Sequence, residues 1–114
     1  MLVDVHCHLL PGIDDGAQTI EDSLAMARLA VAEGITHILC TPHHNNGTYL
    51  NPKGQVIEAV SKLQAELDAA DIPLTLFEGQ EVRLSHDLMK RIAQNDILLN
   101  YYILISIIYI KLFT

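Results

Sequence analysis

Tryptophan is absent from this 114-residue chain, cysteine occurs twice, and Lys and Arg together (7) are half as frequent as Asp and Glu (14). Each shortage excludes something. The net charge of −7 argues against nucleic acid or an anionic membrane as the main partner, and suits a bound metal cation. Two cysteines cannot make a disulfide framework. Cys7 and Cys40 both fall inside predicted strands, and no secretion signal opens the sequence, so they read as reduced core thiols of a cytoplasmic protein rather than as a Cys7–Cys40 disulfide. No repeat of solenoid length is present. What remains is a chain that is 50% apolar, enough for one domain with a modest core.

The first sixteen residues organise the rest. Leu2, Val3 and Val5 predict a short buried strand ending in His6-Cys7-His8, whose two imidazoles leave an extended backbone on the same side. Two same-side nitrogen ligands on a rigid strand are half of a metal site. The loop that follows contains Pro11, Gly12, Asp14, Asp15 and Gly16, so carboxylates lie within reach of the pair on backbone that can turn sharply. Asp14 is a candidate ligand or a partner of one.

Downstream, Thr19 is a predicted N-cap with acidic residues in the first turn. The helix it opens runs to about Glu33, stops at Gly34, and buries Ile20, Leu24, Ala27 and Val31 on one face. Ile35 to Cys40 predicts a second strand, apolar as in a parallel sheet covered on both sides, and leads into Thr41-Pro42-His43-His44. Asn51-Pro52 predicts an N-cap and first helical residue, followed by a helix to about Ala70 with Val56, Val60, Leu63 and Leu67 inward. Leu74 to Glu78 predicts a third strand before Gly79-Gln80-Glu81-Val82, and a shorter helix is expected from Leu84 or Ser85 through Ile92. Strand, helix, strand, helix, strand, helix implies a parallel sheet with helices outside. His6 and His8, then His43, then Glu81 close three consecutive strands, so metal-type ligands collect at one sheet edge, where α/β folds place their sites.

The strings His6-Cys7-His8, Leu10-Pro11-Gly12-Ile13-Asp14-Asp15-Gly16, Thr41-Pro42-His43 and Glu78-Gly79-Gln80-Glu81-Val82 resemble the opening motifs of the PHP (polymerase and histidinol phosphatase) superfamily. Within it, they are similar to the metal-dependent protein-tyrosine phosphatases of bacterial capsule and exopolysaccharide clusters, the CpsB/YwqE type. The resemblance covers residues 1–96. It implies an α/β fold, the N-terminal part of a distorted β/α barrel with three βα units and a fourth strand to come. It also implies divalent metal ions, manganese above all and otherwise iron or zinc. The implied substrate is the phosphotyrosine tail of a partner tyrosine kinase that controls polysaccharide export. Carried over by position, His6, His8, His43 and Glu81 would bind metal, with Glu81 bridging. Asp14 would serve catalysis from the outer shell by hydrogen-bonding a ligand or bound water. Clustered metal ions activate water and clamp phosphate oxygens, so no cysteine nucleophile is required and Cys7 is assigned to packing. Histidinol phosphate hydrolysis, or metal binding without catalysis, are the alternative readings.

The pattern also departs from the family. It calls for a further Glu, a His-Pro segment, an Asp-x-His and phosphate-binding arginines, yet residues after Asp96 include no His, Asp, Glu or Arg. A closed barrel takes about 250 residues, so a truncated, impaired chain is expected. The apolar tail 97–114 has the Ile, Tyr, Leu, Asn, Lys and Phe content of A/T-rich codons, as a shifted reading frame would give. Its run Ile97–Ile110 is fourteen residues long and interrupted by Asn100 and Ser106, too short for a stable span. A strand beside the third one, with self-association through the open edge, is expected instead.

Of the other polar residues, His44 is expected to face the loop or substrate, because neighbouring side chains on an extended chain point apart. His37 is expected to be structural and His86 solvated. Tyr49 with Asn45-Asn46-Gly47 reads as a surface loop before it reads as a site rim. Arg83 is divided between phosphate binding and an ion pair.

Overall fold

The structure is a computed structural model that describes residues 1–83, 88–94 and 97. Its elements are β1 (Leu2–Cys7), α1 (Ile20–Ala32), β2 (Ile35–Cys40), β3 (His43–His44), α2 (Lys53–Ala69), β4 (Thr75–Glu78), β5 (Glu81–Val82) and α3 (Leu88–Ala93). β1, β2 and β4 form a parallel sheet in that order, and β3 and β5 form a second, two-stranded parallel sheet. The fold is α/β with parallel sheets, as expected. The short second sheet is the difference. His43 and Glu81 do not end the second and third strands but begin strands of their own, paired directly with each other. Pro42, with no N–H to donate, interrupts the chain after β2. At Gly79 a Cβ would stand 3.0 Å from the Cys40 carbonyl oxygen, so the chain passes so close to β2 that a side chain there would crowd it.

The helices follow the apolar spacing closely. Thr19 caps α1 with a full capping box, its side chain accepting from the Asp22 amide while the Asp22 carboxylate accepts from the Thr19 amide. Ile20, Leu24 and Val31 only partly bury, whereas Ser23 and Ala27 bury completely, Ser23 donating its hydroxyl to the Leu9 carbonyl at 2.6 Å. α2 buries the expected Val56, Val60, Leu63 and Leu67 against Leu74 and Leu76 of the β4 arm. Each such fully buried aliphatic side chain contributes about 1.5–3 kcal/mol.

One expectation needs correction. Asn51 is not the cap of α2: Pro52 holds that position, and the Asn51 side chain is turned inward to the site. The second strand is buried on both faces toward its C-terminal end, at Ile38, Leu39 and Cys40, while Val3, Val5 and Phe77 on the flanking strands are 42%, 45% and 48% exposed. The third helix is described from Leu88 to Ala93, and its expected start at Leu84 or Ser85 lies outside the described residues. Ser85, His86 and the expected strand within 97–110 lie outside the described residues, apart from Ile97, which is buried in the core. No described helix is long and apolar enough to cross a membrane.

Candidate metal centre

The site is assembled at the C-terminal end of the main sheet by β1, the loop after it, and the β3–β5 pair. His6 Nε2 lies 2.9 Å and His8 Nε2 2.8 Å from Glu81 Oε2, and His43 Nδ1 lies 3.5 Å from the same oxygen. His6 Nε2 and His8 Nε2 are themselves 3.3 Å apart. All four residues singled out in the sequence therefore converge on one point, and three nitrogens crowd a single carboxylate oxygen. Donor atoms bound about 2.1 Å from a common ion stand roughly 3–3.5 Å apart, so this set has the spacing and the nitrogen–oxygen chemistry of a divalent-metal site.

The loop from Leu9 to Gly16 holds the histidines in place. It closes where the Ala17 amide donates to the His8 carbonyl at 3.1 Å. Gly16 folds so tightly over His8 that a Cβ there would overlap the His8 carbonyl oxygen at 2.2 Å, which explains the glycine at the end of the Asp-Asp-Gly string. Asp14, only 4% exposed, accepts from His8 Nδ1 at 2.7 Å, from the Gly16 amide at 2.9 Å and from the His43 amide at 3.0 Å. Burial by itself would raise the Asp14 pKa, but these hydrogen bonds outweigh it and hold the carboxyl below its usual range. The His8 imidazole is raised in turn, chiefly by its hydrogen bond to Asp14, against the opposing effect of burial. Asp14 thus stands behind His8 rather than among the converging atoms, and it aims His8 Nε2 at the cluster.

A second grouping was not assigned from the sequence. Asp15 Oδ1 lies 3.3 Å from His43 Nε2, and His8, Asp15 and His43 bring three donor atoms within 4.8 Å of one another. The Asp-Asp pair was the available signal. Asn51 and Gln80 were missed as well. Asn51, buried, donates from Nδ2 to the carbonyls of Ile13 (2.9 Å) and His43 (2.8 Å), while Gln80 Nε2 donates to the Asn51 carbonyl at 2.7 Å. The Asn51 amide thereby joins the first loop to β3, and the Gln80 amide ties the β4–β5 turn to the Asn51 main chain.

His44 is corrected in part: it is fully buried and does not face substrate, while its Nδ1 accepts the Asn51 amide at the far end of the following loop at 2.9 Å. The alternation that sends His43 into the cluster sends His44 into the core. His37 is structural as expected, stacked on Phe77 with ring centroids 5.9 Å apart. Tyr49 belongs to the site rim after all, its ring nearly parallel to that of His43. Arg83 donates from Nη1 to the Asn46 carbonyl at 3.3 Å. Cys7 and Cys40 are free thiols on paired strands. Burial, reinforced by Asp4 and Asp14, pushes the Cys7 pKa up to about 11, and burial raises Cys40 further.

The sequence pattern described as capsular polysaccharide synthesis, CpsB/CapC, matches residues 2–110. The chain belongs to the CpsB/CapC family. Over 97 residues it is 47% identical to the tyrosine-protein phosphatase YwqE of Bacillus subtilis, a match covering 85% of this chain and 38% of that protein. It is 30% identical to the putative tyrosine-protein phosphatase CapC of Staphylococcus aureus, over 84% of this chain and 38% of that one. Crystal structures of YwqE from Bacillus subtilis and CpsB from Streptococcus pneumoniae, described as unique metal-dependent tyrosine phosphatases, include a chain that superposes with a TM-score of 0.81. Its identity to this chain is 45%, and the match covers 85% of this chain and 39% of that one. The chain therefore spans about 38% of the length of these CpsB/CapC relatives.

Proposed function

We propose that this CpsB/CapC chain carries part of the metal centre of a metal-dependent phosphomonoesterase acting on protein phosphotyrosine. The observation that carries the reading is the convergence of His6, His8 and His43 on Glu81 Oε2. His6, His8, His43 and Glu81 would hold the ions, with Asp15 beside His43 as a further donor. Divalent ions held there would supply an activated water, a clamp on the phosphate oxygens and charge to stabilise the departing phenolate.

The protein's own part is positional. Asp14 accepts the Nδ1 proton of His8 and so directs Nε2 to the cluster. Through the His43 amide it also fixes β3 relative to the first loop. Asn51 and Gln80 hold the same segments from the buried side. The thiol of Cys7, held protonated, has no part in bond-making. Manganese is the proposed metal, the phosphotyrosine tail of a bacterial tyrosine kinase in capsule synthesis the proposed substrate, and the cytoplasm the proposed compartment. The names of the relatives favour this over histidinol phosphate hydrolysis.

Elemental analysis and phosphotyrosine-peptide hydrolysis test the reading together. One or two divalent ions per chain are expected, lost in His6→Ala/His8→Ala. Phosphate release is expected to depend on manganese and to vanish in Glu81→Ala, at a rate below that of the full-length relatives. Equal metal content in wild type and double variant, or hydrolysis indifferent to chelator, would overturn it.

A further inference from the structure

The loop between β3 and α2 is built to hold one aromatic ring beside the His43 imidazole. Asn45 takes a left-handed conformation (φ 55°) and its amide donates to the Tyr49 carbonyl at 2.9 Å, closing the loop on itself. Asn46 Oδ1 accepts from the Thr48 amide at 3.0 Å and from the Tyr49 amide at 2.8 Å, an Asx turn that fixes the Tyr49 backbone. From the end of β5, Arg83 Nη1 donates to the Asn46 carbonyl at 3.3 Å. At the loop's far end Asn51 is anchored in the core. The outcome of all these bonds is the placement of the Tyr49 ring, 16° from parallel with the His43 imidazole and 6.0 Å from it between centroids.

Nothing in the proposed hydrolysis uses that ring. It is half-buried, so part of it stays in solvent at the rim while the rest lies beside a proposed metal ligand. A phosphate held at the cluster would carry its ester group outward past this rim. An aromatic wall there meets a phenyl group by offset or edge contact, which an alkyl group cannot match in geometry or polarity.

We infer that Tyr49 is a specificity-determining residue that selects aryl over alkyl phosphomonoesters by packing its ring against the ester's phenyl group. This rests on the phosphomonoesterase reading above.

The test is isothermal titration calorimetry on the manganese-loaded full chain with two non-hydrolysable probes, phenylphosphonate and methylphosphonate. Wild type and Tyr49→Phe should both favour phenylphosphonate, by about three- to tenfold, the range of one aromatic pair. In Tyr49→Leu the ratio of the two affinities should fall toward one, with metal content equal to wild type by elemental analysis. If both phosphonates bind and Tyr49→Leu keeps the preference, or Tyr49→Phe loses it, the role of the ring is overturned while the phosphomonoesterase reading stands. If neither phosphonate binds the metal-loaded wild type, both fall together.

Discussion

A single oxygen of Asp14 ties two candidate ligands together: Oδ2 lies 2.7 Å from His8 Nδ1 and accepts the main-chain N–H of His43 at 3.0 Å. One buried carboxylate thus sets the tautomer of one imidazole and the position of another. Hydrogen bonds to the ionised form are what keep Asp14 charged in spite of its burial.

Replacing Asp14 by Asn should therefore act through His8. The raised His8 pKa depends first on the hydrogen bond to Asp14, so in the metal-free chain His8 should titrate at lower pH in Asp14→Asn than in wild type. NMR titration of the imidazole protons measures this. The signs for stability are opposite for the two partners. The contribution of His8 is complete below its unfolded value of about 6.5 and fades as pH rises through the raised folded value. That of Asp14 is present above about 3.9 and fades as pH falls through its lowered one. The pair therefore stabilises the metal-free chain most between roughly pH 4 and 6.5, and Asp14→Asn should flatten that maximum in urea unfolding. Its metal affinity should drop by about 10- to 100-fold, the usual effect of losing a ligand's orienting partner.

His43 and His44 are sequence neighbours with opposite surroundings, which makes them a natural pair of experiments. His43→Ala should lower metal content while changing the stability of the metal-free chain little, because His43 is part-exposed at the cluster. His44→Ala removes a fully buried ring and leaves the Asn51 amide without the acceptor it has at 2.9 Å. A loss of about 2–4 kcal/mol is expected there, combining a cavity with an unmet donor. Equal stability losses for the two variants in chemical denaturation would contradict the placement.

Much of this arrangement was legible beforehand, and the particular residues show why. His6, His8, His43 and Glu81 could be named because metal-type side chains recurred at or just beyond the ends of successive predicted strands, a pattern that residue type and strand order reveal. α2 could be read because Val56, Val60, Leu63 and Leu67 keep strict helical spacing. Asn51 could not. Its local context, polar residue before proline, is that of a helix cap, and only the tertiary approach of the Ile13 and His43 carbonyls draws its amide inward. Gln80 was hidden for the same reason. The separation of β3 and β5 from the main sheet arises at Pro42 and Gly79, where backbone chemistry, invisible to hydrophobic patterning, breaks the ladder.

Asn51 offers a direct measure of how far that buried bracing matters. Asn51→Ala removes both Nδ2 hydrogen bonds and leaves the part-buried carbonyls of Ile13 and His43 without that donor. An unmet buried polar group costs about 1–3 kcal/mol, and with both acceptors only part-buried a loss of about 1–3 kcal/mol in all is expected. Metal affinity should fall too, since the first loop and β3 are no longer held in register. If metal binding, measured by calorimetry under conditions where the variant is folded, were as tight as in wild type, the brace would be stabilising the fold alone.

Cys7 separates the metal-based chemistry from a thiol-based one. It sits between two candidate ligands, where a nucleophile would be convenient, yet its pKa is pushed up to about 11, by burial first and by Asp4 and Asp14 next. At pH 7 only on the order of one thiol in ten thousand would be ionised, whereas cysteine nucleophiles work with pKa values of about 3.5–7.5. Cys7→Ser should accordingly keep the metal content of wild type and any manganese-dependent phosphotyrosine hydrolysis that wild type shows. Native Cys7 should also react with iodoacetamide at pH 7 far more slowly than in the urea-unfolded chain, where the thiol returns to its ordinary pKa. Rapid alkylation of the folded protein that blocks hydrolysis would place the chemistry on sulfur, against the burial and the acidic neighbours that hold its proton in place.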